Sequence, residues 1–251
     1  MQELLAWLPR IEATNAAFRA DVGRVKLGAL AVASHVLAGP RTLRKAARAQ
    51  QRQARSALQQ PWLPYWPGLS AQPLHDQHDY AWTHVLRQAS ADIREELLRA
   101  CDCFGPARYD STLNEKPWRA YYFYIHGRPH EEHLAACPRT REVLAHVPHN
   151  SMHVCFSALE PGGGLHPHTG PTNASLTAHL GLTNCAGTSL WVAAERAEYR
   201  DGEVLIFDDS FVHRVENGGT ETRYTLMITF WHPELNVLER QLLYRVVRTV
   251  E

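Results

Sequence analysis

Three stretches of the chain alternate strictly between apolar and polar positions, the signature of strands with one face in a core and the other turned elsewhere. In SMHVCFSAL, Met152, Val154, Phe156 and Ala158 share one side while His153, Cys155 and Ser157 share the other. In SLTAHLGL, Leu176, Ala178, Leu180 and Leu182 oppose Ser175, Thr177 and His179. In RYTLMITFW, Tyr224, Leu226, Ile228 and Phe230 oppose Arg223, Thr225, Met227 and Thr229. Tyr121 to Ile125, aromatic and β-branched, reads as a further strand, and Glu142 to His146 as a short helix or turn before the next one. Punctuation by PGGG, DG and ENGG between such segments favours an all-β sandwich or barrel.

Upstream of Trp118 the period becomes helical. Leu4, Leu5, Leu8 and Ile11 recur at helical spacing, and alanine-rich sequence continues to Leu58 with an interruption at Gly39-Pro40. Pro61, Pro64, Pro67 and Pro73, with Trp62, Tyr65 and Trp66 among them, then predict an extended crossover. From Trp82 to Cys101, the spacing of Val85, Leu86, Ile93, Leu97 and Leu98 predicts an amphipathic helix packed on the outside of a sheet.

Composition narrows the function classes. A chain of 251 residues with 45% hydrophobic content and a net charge of +0 describes a globular protein, without the global basic field of a nucleic-acid binder. The five cysteines, at 101, 103, 137, 155 and 185, form no paired framework and favour free thiols in a reducing compartment. MQELLAWLPRIEATN starts acidic without a cleavage site, and the most apolar stretch, Leu27 to Leu37, is too short to span a bilayer. The expected location is the cytoplasm. One local charge run stands out: Arg41, Arg44, Lys45, Arg48, Arg52 and Arg55 at three- and four-residue spacing, with no acidic residue between 41 and 55. It reads first as a solvated helix face and second as a dock for an acidic partner such as a carrier protein, or for an anionic membrane face.

The chemistry concentrates in HPHTGPTN at 166–173, in FDDSFVHRV, whose His213 stands 45 residues after His168, and in Arg223 ten residues further on. Imidazoles from two distant strands suit a first-row ion such as Fe(II) and leave coordination positions for a co-substrate and O2. A fixed guanidinium one strand beyond can hold the distal carboxylate of a 2-oxo diacid. Strand parity alone leaves His166 and His168 equally eligible. The carboxylate that usually completes such a site two residues after the first histidine is replaced by Gly170. Asp208 and Asp209 are candidates to stand in for it, though a turn or outer-shell role fits them better. Cys101 and Cys103 have no second half of a metal site nearby, and His130 and His133 in PHEEH have no third ligand; all four read as structural.

Taken together, SALEPGGGLHPHTGPTNASLTAHLGL, GEVLIFDDSFVHRVENGG and RYTLMITFWHPEL resemble the catalytic core of the aspartyl/asparaginyl β-hydroxylase family. This is a branch of the Fe(II)- and 2-oxoglutarate-dependent oxygenases that has glycine where others have the aspartate ligand. The likeness spans roughly residues 60 to 235, beginning weakly at LPYWPGLSAQPLHD. It implies a mainly β protein with flanking helices, a double-stranded β-helix (a cupin-like jelly roll) in a catalytic domain at 59–251, and the helical pattern read above makes 1–58 an N-terminal extension to it. It also implies His168 and His213 as iron ligands, Arg223 with Ser157 on the 5-carboxylate of 2-oxoglutarate, and His179 at its 1-carboxylate end. The chain departs from the family where LTAHLGL stands for the common LRxHLGL, so Thr177 replaces a carboxylate-binding arginine. ACPRTRE has only Cys137 where some animal members carry paired cysteines, and no disulfide is carried over.

The activity implied is hydroxylation of an unactivated carbon, coupled to decarboxylation of 2-oxoglutarate to succinate and CO2. The substrate expected is an Asp- or Asn-like side chain, free, peptidic or carrier-bound. A lipid acyl chain is the alternative within the family, and a cupin-like module that binds metal or 2-oxoglutarate without turnover is the alternative outside it. Gly170 is also compatible with a halide beside the metal, but PHTGPTN points to hydroxylation.

Overall fold

The computed structural model describes residues 2–22, 57–107, 116, 118–148 and 150–247. The basic stripe between Arg41 and Arg55 lies outside the described residues.

The chain begins with helix α1 (Gln2–Val22). A crossover leads to strand β1 (Leu74–His75), helices α2 (Ala81–Gln88) and α3 (Ser90–Ala100), strands β2 (Gly105–Pro106), β3 (Trp118–Ile125) and β4 (Arg128–Pro129), and helices α4 (Glu131–Ala136) and α5 (Pro138–Leu144). The β-rich part follows: β5 (Asn150–Leu159), β6 (Gly164–His168), β7 (Ser175–Thr183), β8 (Thr188–Val192), β9 (Glu195–Glu198), β10 (Val204–Phe207), β11 (His213–Asn217) and β12 (Arg223–Trp231), closed by helix α6 (Val237–Val247).

The strands pair antiparallel into an eight-stranded sheet, β1-β10-β7-β12-β5-β3-β2 with β4 on β3, and a four-stranded sheet, β6-β11-β8-β9. From β5 onward the chain passes from one sheet to the other at every step except the β8–β9 hairpin, which stays in the small sheet, and this gives the jelly-roll architecture of a double-stranded β-helix. The strand parity read from sequence sets the layers. On the large sheet, Val154, Phe156, Leu176, Ala178, Leu180, Leu226 and Ile228 pack beneath Leu86, Ile93 and Leu97 of α2 and α3. The opposite face, with Ser157, Thr177, His179, Arg223, Met227 and Thr229, lines a cavity within the jelly roll. Leu159, Leu190, Val192, Phe207, Phe211 and Val215 form the apolar core on that inner side.

The single amphipathic helix expected from Trp82 to Cys101 is in fact two. At Ala89 the backbone adopts φ -90, ψ 2, outside the helical well. That residue is 1% exposed, so its methyl-sized side chain lets the two helices turn over the sheet. Three polar side chains tie down the irregular segments, where buried backbone groups need partners. Asn173 accepts from Trp66 N at 2.7 Å and donates to Trp66 O at 2.8 Å, fixing the proline-rich crossover to the end of the HPHTGPTN motif. Asn217 donates to the carbonyls of Leu159 at 2.8 Å and Glu221 at 2.9 Å. Glu96, buried, accepts from Arg139 N and Thr140 N at 2.8 Å each, closing the start of α5. All five cysteines are free thiols. Among the described residues no helix is long and apolar enough to cross a membrane.

Candidate functional site

The cavity, about 230 Å³, holds His168, His179, His213, Arg223 and Ser157 on its lining. All five residues singled out in the sequence therefore meet in one place, delivered by strands of both sheets.

His168 ends β6 and His213 opens β11, and the two are register partners across that antiparallel pair. Their ring centroids are 4.1 Å apart with planes tilted by 52°. Each Nδ1 lies on a main-chain carbonyl two residues back, His166 O at 2.7 Å and Phe211 O at 2.9 Å. A carbonyl can only accept, so Nδ1 carries the hydrogen on both rings and Nε2 keeps its lone pair. Burial pulls the His168 pKa below its ordinary value and the His213 pKa well below it, so both rings are neutral at neutral pH. Two neutral imidazoles with fixed tautomers can take a first-row divalent ion. His166, the other candidate by parity, instead stacks on Trp7 at 5.3 Å. Among the described residues no group of three or more His, Cys, Asp or Glu side chains has metal-site geometry. His130 and His133 stack on one another at 3.6 Å, and His133 stacks on Tyr121 at 3.8 Å, away from this cavity.

On the large sheet, Arg223 is 2% exposed, with Nη1 donating to Thr225 Oγ1 at 2.7 Å and its guanidinium 5.1 Å from the centre of the Tyr199 ring. Its Nε has no hydrogen-bond partner, and among the described residues no carboxylate pairs with it. Ser157 Oγ accepts from Trp118 Nε1 at 2.9 Å, which leaves the hydroxyl hydrogen to donate elsewhere. His179 Nδ1 is 2.7 Å from the Tyr199 hydroxyl, while its Nε2 is buried with no partner. Burial pushes His179 down to about 3 and Tyr199 up to about 12, so both are neutral. Buried polar atoms without partners are costly and are normally satisfied by something. Here His179 Nε2 and Arg223 Nε, two nitrogens without protein partners, lie on one cavity with the donor Ser157, an arrangement suited to an anion.

Gly170 has a packing reason to be glycine. A Cβ there would lie 2.4 Å from Asp209 Cγ and 2.5 Å and 2.6 Å from its oxygens, and Gly170 N already donates to Asp209 O at 2.6 Å. The carboxyl group of Asp209 thus fills the space a side chain at 170 would need. Thr177, the departure from LRxHLGL, donates to Asp209 Oδ2 at 3.0 Å, leaving Oδ1 without a partner. Asp208 turns away, accepting from Ser210 N at 3.0 Å and Gln59 Nε2 at 3.1 Å. Gly170→Ala is expected to destabilise the fold by about 1–3 kcal/mol through overpacking. Asp209→Ala in the same chain should recover most of the loss, a coupling that urea unfolding of both single variants and the double variant would measure.

Burial pushes the Asp209 carboxyl up to about 7, against the hydrogen bond from Thr177 that pulls it down. An unfolded aspartate titrates at about 3.9, so the folded state binds the proton more tightly between there and about 7. Stability of the metal-free protein should therefore fall as pH rises through that window, because the unfolded state has already released the proton. Melting in the presence of a chelator across the window should show a shallower decline for Asp209→Asn than for wild type. Equal slopes would show that Asp209 is ionised in the folded state throughout.

Two contributors to the cavity had no sequence signal. Trp7, Arg10, Ile11, Thr14 and Asn15 of α1 line it, as does Trp62 of the crossover. The spacing of Leu8 and Ile11 marked a helix but not the surface it would pack on.

Fold and site together define a cupin-like double-stranded β-helix with a polar, cation-bearing cavity between its sheets. Residues 87–233 match the family described as Aspartyl/Asparaginyl beta-hydroxylase, and the chain belongs to that family. Human aspartyl/asparaginyl beta-hydroxylase is 33% identical over 187 residues, covering 69% of this chain and 24% of its own length. The chain thus spans about a quarter of that relative. The ornithine lipid ester-linked acyl 2-hydroxylase of Rhizobium tropici is 28% identical over 174 residues, covering 64% of this chain and 61% of its own. Among solved structures, a prolyl hydroxylase of Trichoplax adhaerens aligns with a TM-score of 0.40 at 13% identity, over 62% of this chain and 81% of that one.

Proposed function

We propose that this chain is an Fe(II)- and 2-oxoglutarate-dependent hydroxylase that places oxygen on an unactivated carbon, with an Asp- or Asn-like side chain as substrate. The observation that carries the reading is the register pair of His168 and His213, each with Nδ1 committed to a carbonyl and Nε2 free to ligate. His168 and His213 hold the iron. Arg223 and Ser157 hold the 5-carboxylate of 2-oxoglutarate, and His179 meets its 1-carboxylate end. When bound, iron and 2-oxoglutarate supply the oxidising chemistry, with O2 as oxidant and succinate and CO2 as products.

The chain's own residues supply position, charge and exclusion of water. Thr225 anchors the Arg223 guanidinium on the cavity lining through Nη1 and leaves Nε without a protein partner, a preorganised donor for a carboxylate. Trp118 orients the Ser157 hydroxyl to donate beside it. With Tyr199 donating to His179 Nδ1, the hydrogen of that neutral ring sits on Nε2, where it can donate to a carboxylate oxygen. Asp209, held by Thr177 against Gly170, fills with a carboxyl group the space beside Gly170 that a side chain there would take. Of the finer substrate classes, hydroxylation of a lipid acyl chain is the second reading; it is favoured by the apolar part of the cavity wall, Ile11, Leu159, Leu165, Leu190 and Val215.

The test is succinate formation. Protein loaded anaerobically with Fe(II) and 2-oxoglutarate, then exposed to O2, should form succinate slowly without added substrate, and omission of iron should stop it. No 2-oxoglutarate binding by calorimetry would sink the reading, whereas binding without succinate under any candidate substrate would leave a binding module in its place.

A further inference from the structure

Helix α1 is fastened to the site. Ile11 is 4% exposed and packs in the inner core with Phe211, Val212 and Leu190. Asn15, 2% exposed, donates through Nδ2 to Gln60 O at 2.9 Å and to Thr169 Oγ1 at 3.1 Å, one residue from His168. Trp7 stacks on His166 with planes 21° apart, and the Arg10 guanidinium lies 5.0 Å from the Trp7 ring centre. Contacts to the middle of β6 through Trp7, and to the residue that follows it through Asn15, give the helix a defined place over the cavity.

The charge of the lining is asymmetric. It contains two guanidiniums, Arg223 and Arg10, and one carboxyl group, Asp209, which is engaged by Thr177. Arg223 is buried in the large sheet, whereas Arg10 is exposed on α1 and, among the described residues, pairs with no carboxylate. An exposed arginine resting on an aromatic face keeps its donors available at one edge while its stem and the ring present apolar surface. On the reading above, the co-substrate occupies Arg223. The outer cation is left for the second reactant.

We infer that α1 is the substrate-reading wall of the site: the substrate presents an anionic group to Arg10 while an apolar segment lies along Trp7, Ile11 and Leu165. This rests on the hydroxylase reading and narrows its substrate to acidic molecules carrying an apolar body, of which N-acylated acidic amino acids are the simplest. Arg10 and Trp7 act as specificity-determining residues and take no part in the chemistry at the iron.

The probe is N-octanoyl-L-aspartate, with the uncharged N-octanoyl-L-asparagine amide as its neutral counterpart. Both are titrated calorimetrically into the full chain loaded with Mn(II) and 2-oxoglutarate. The acid should bind wild type and lose about tenfold or more in affinity in Arg10→Ala and Arg10→Glu, the scale of a lost charge-assisted contact. Arg10→Lys should recover part of the loss, and the neutral probe should be indifferent to all three variants. Trp7→Ala should weaken both probes, the acid at least as much as its neutral counterpart because the ring also supports Arg10. Circular dichroism melting of each variant separates loss of contact from loss of fold. Failure of the acid to bind wild type, or equal affinity in wild type and Arg10→Ala, overturns the inference. Failure of the hydroxylase reading has a different signature: Arg10-dependent binding of the acid would persist while 2-oxoglutarate neither bound nor gave succinate.

Discussion

Replacing Arg223 with methionine is expected to raise the melting temperature of the ligand-free protein while abolishing its response to 2-oxoglutarate. The guanidinium is 2% exposed, bonded to Thr225 Oγ1 and packed on Tyr199, without an acidic partner among the described residues. Such a charge is desolvated without Coulombic return, and an apolar side chain of similar length in its place is typically neutral or stabilising by about 1–4 kcal/mol. Binding runs the other way. Truncating one partner of a buried charge pair costs roughly 2–5 kcal/mol, so 2-oxoglutarate affinity should fall by about two orders of magnitude or more. Saturating 2-oxoglutarate at a hundred times its Kd should stabilise wild type by about 2.7 kcal/mol and the variant by almost nothing. Thermal unfolding with and without 2-oxoglutarate reads both effects in one experiment. A variant that melts lower than wild type yet is stabilised equally would assign Arg223 a purely structural role.

The second large effect belongs to the paired imidazoles. On the proposed reading, in which His168 and His213 are the two ligands among the described residues, His213→Ala or His168→Ala removes half of the protein's grip on the ion. Loss of an outer-shell partner alone costs 10–100-fold in typical metal sites, so losing a ligand should exceed about 100-fold. Anaerobic Mn(II) titration followed by electron paramagnetic resonance measures this without turnover. His166→Ala supplies the contrast, since that ring is stacked on Trp7 and Mn(II) affinity should change little. Equal losses for His166→Ala and His168→Ala would show that the choice between them is wrong.

Much of this arrangement was legible in the sequence because strands write their faces in alternate residues. Ser157, His179 and Arg223 each fell on the less apolar side of their strand, and those sides converge on the cavity. The likeness to a known family chose His168 over His166 where parity could not, and the register of β6 against β11 places His168 opposite His213. What was illegible depends on contacts between distant parts of the chain. Thr177 read as a lost arginine; its hydrogen bond to Asp209, 32 residues on, could not be read from either segment alone. The break at Ala89 hides inside an unbroken helical pattern, because alanine is a strong helix former and nothing in the local sequence marks a turn there. The docking of α1 was likewise silent: Leu5, part of the periodic set, is 41% exposed, while Asn15, outside it, is 2% exposed.

The eight-stranded sheet carries helices on one face and the cavity on the other, so neighbouring residues along one strand answer to different demands. In Ser175–Thr183, Leu176, Ala178 and Leu180 serve the apolar layer, and Thr177 and His179 serve the cavity. A single insertion or deletion within such a strand would exchange the two sets beyond it, burying imidazole under the helices and turning leucine into the site. Descendants of this chain can therefore acquire new substrates through point changes at alternate positions, or by altering loop lengths and α1, while the residue count of the central strands stays fixed.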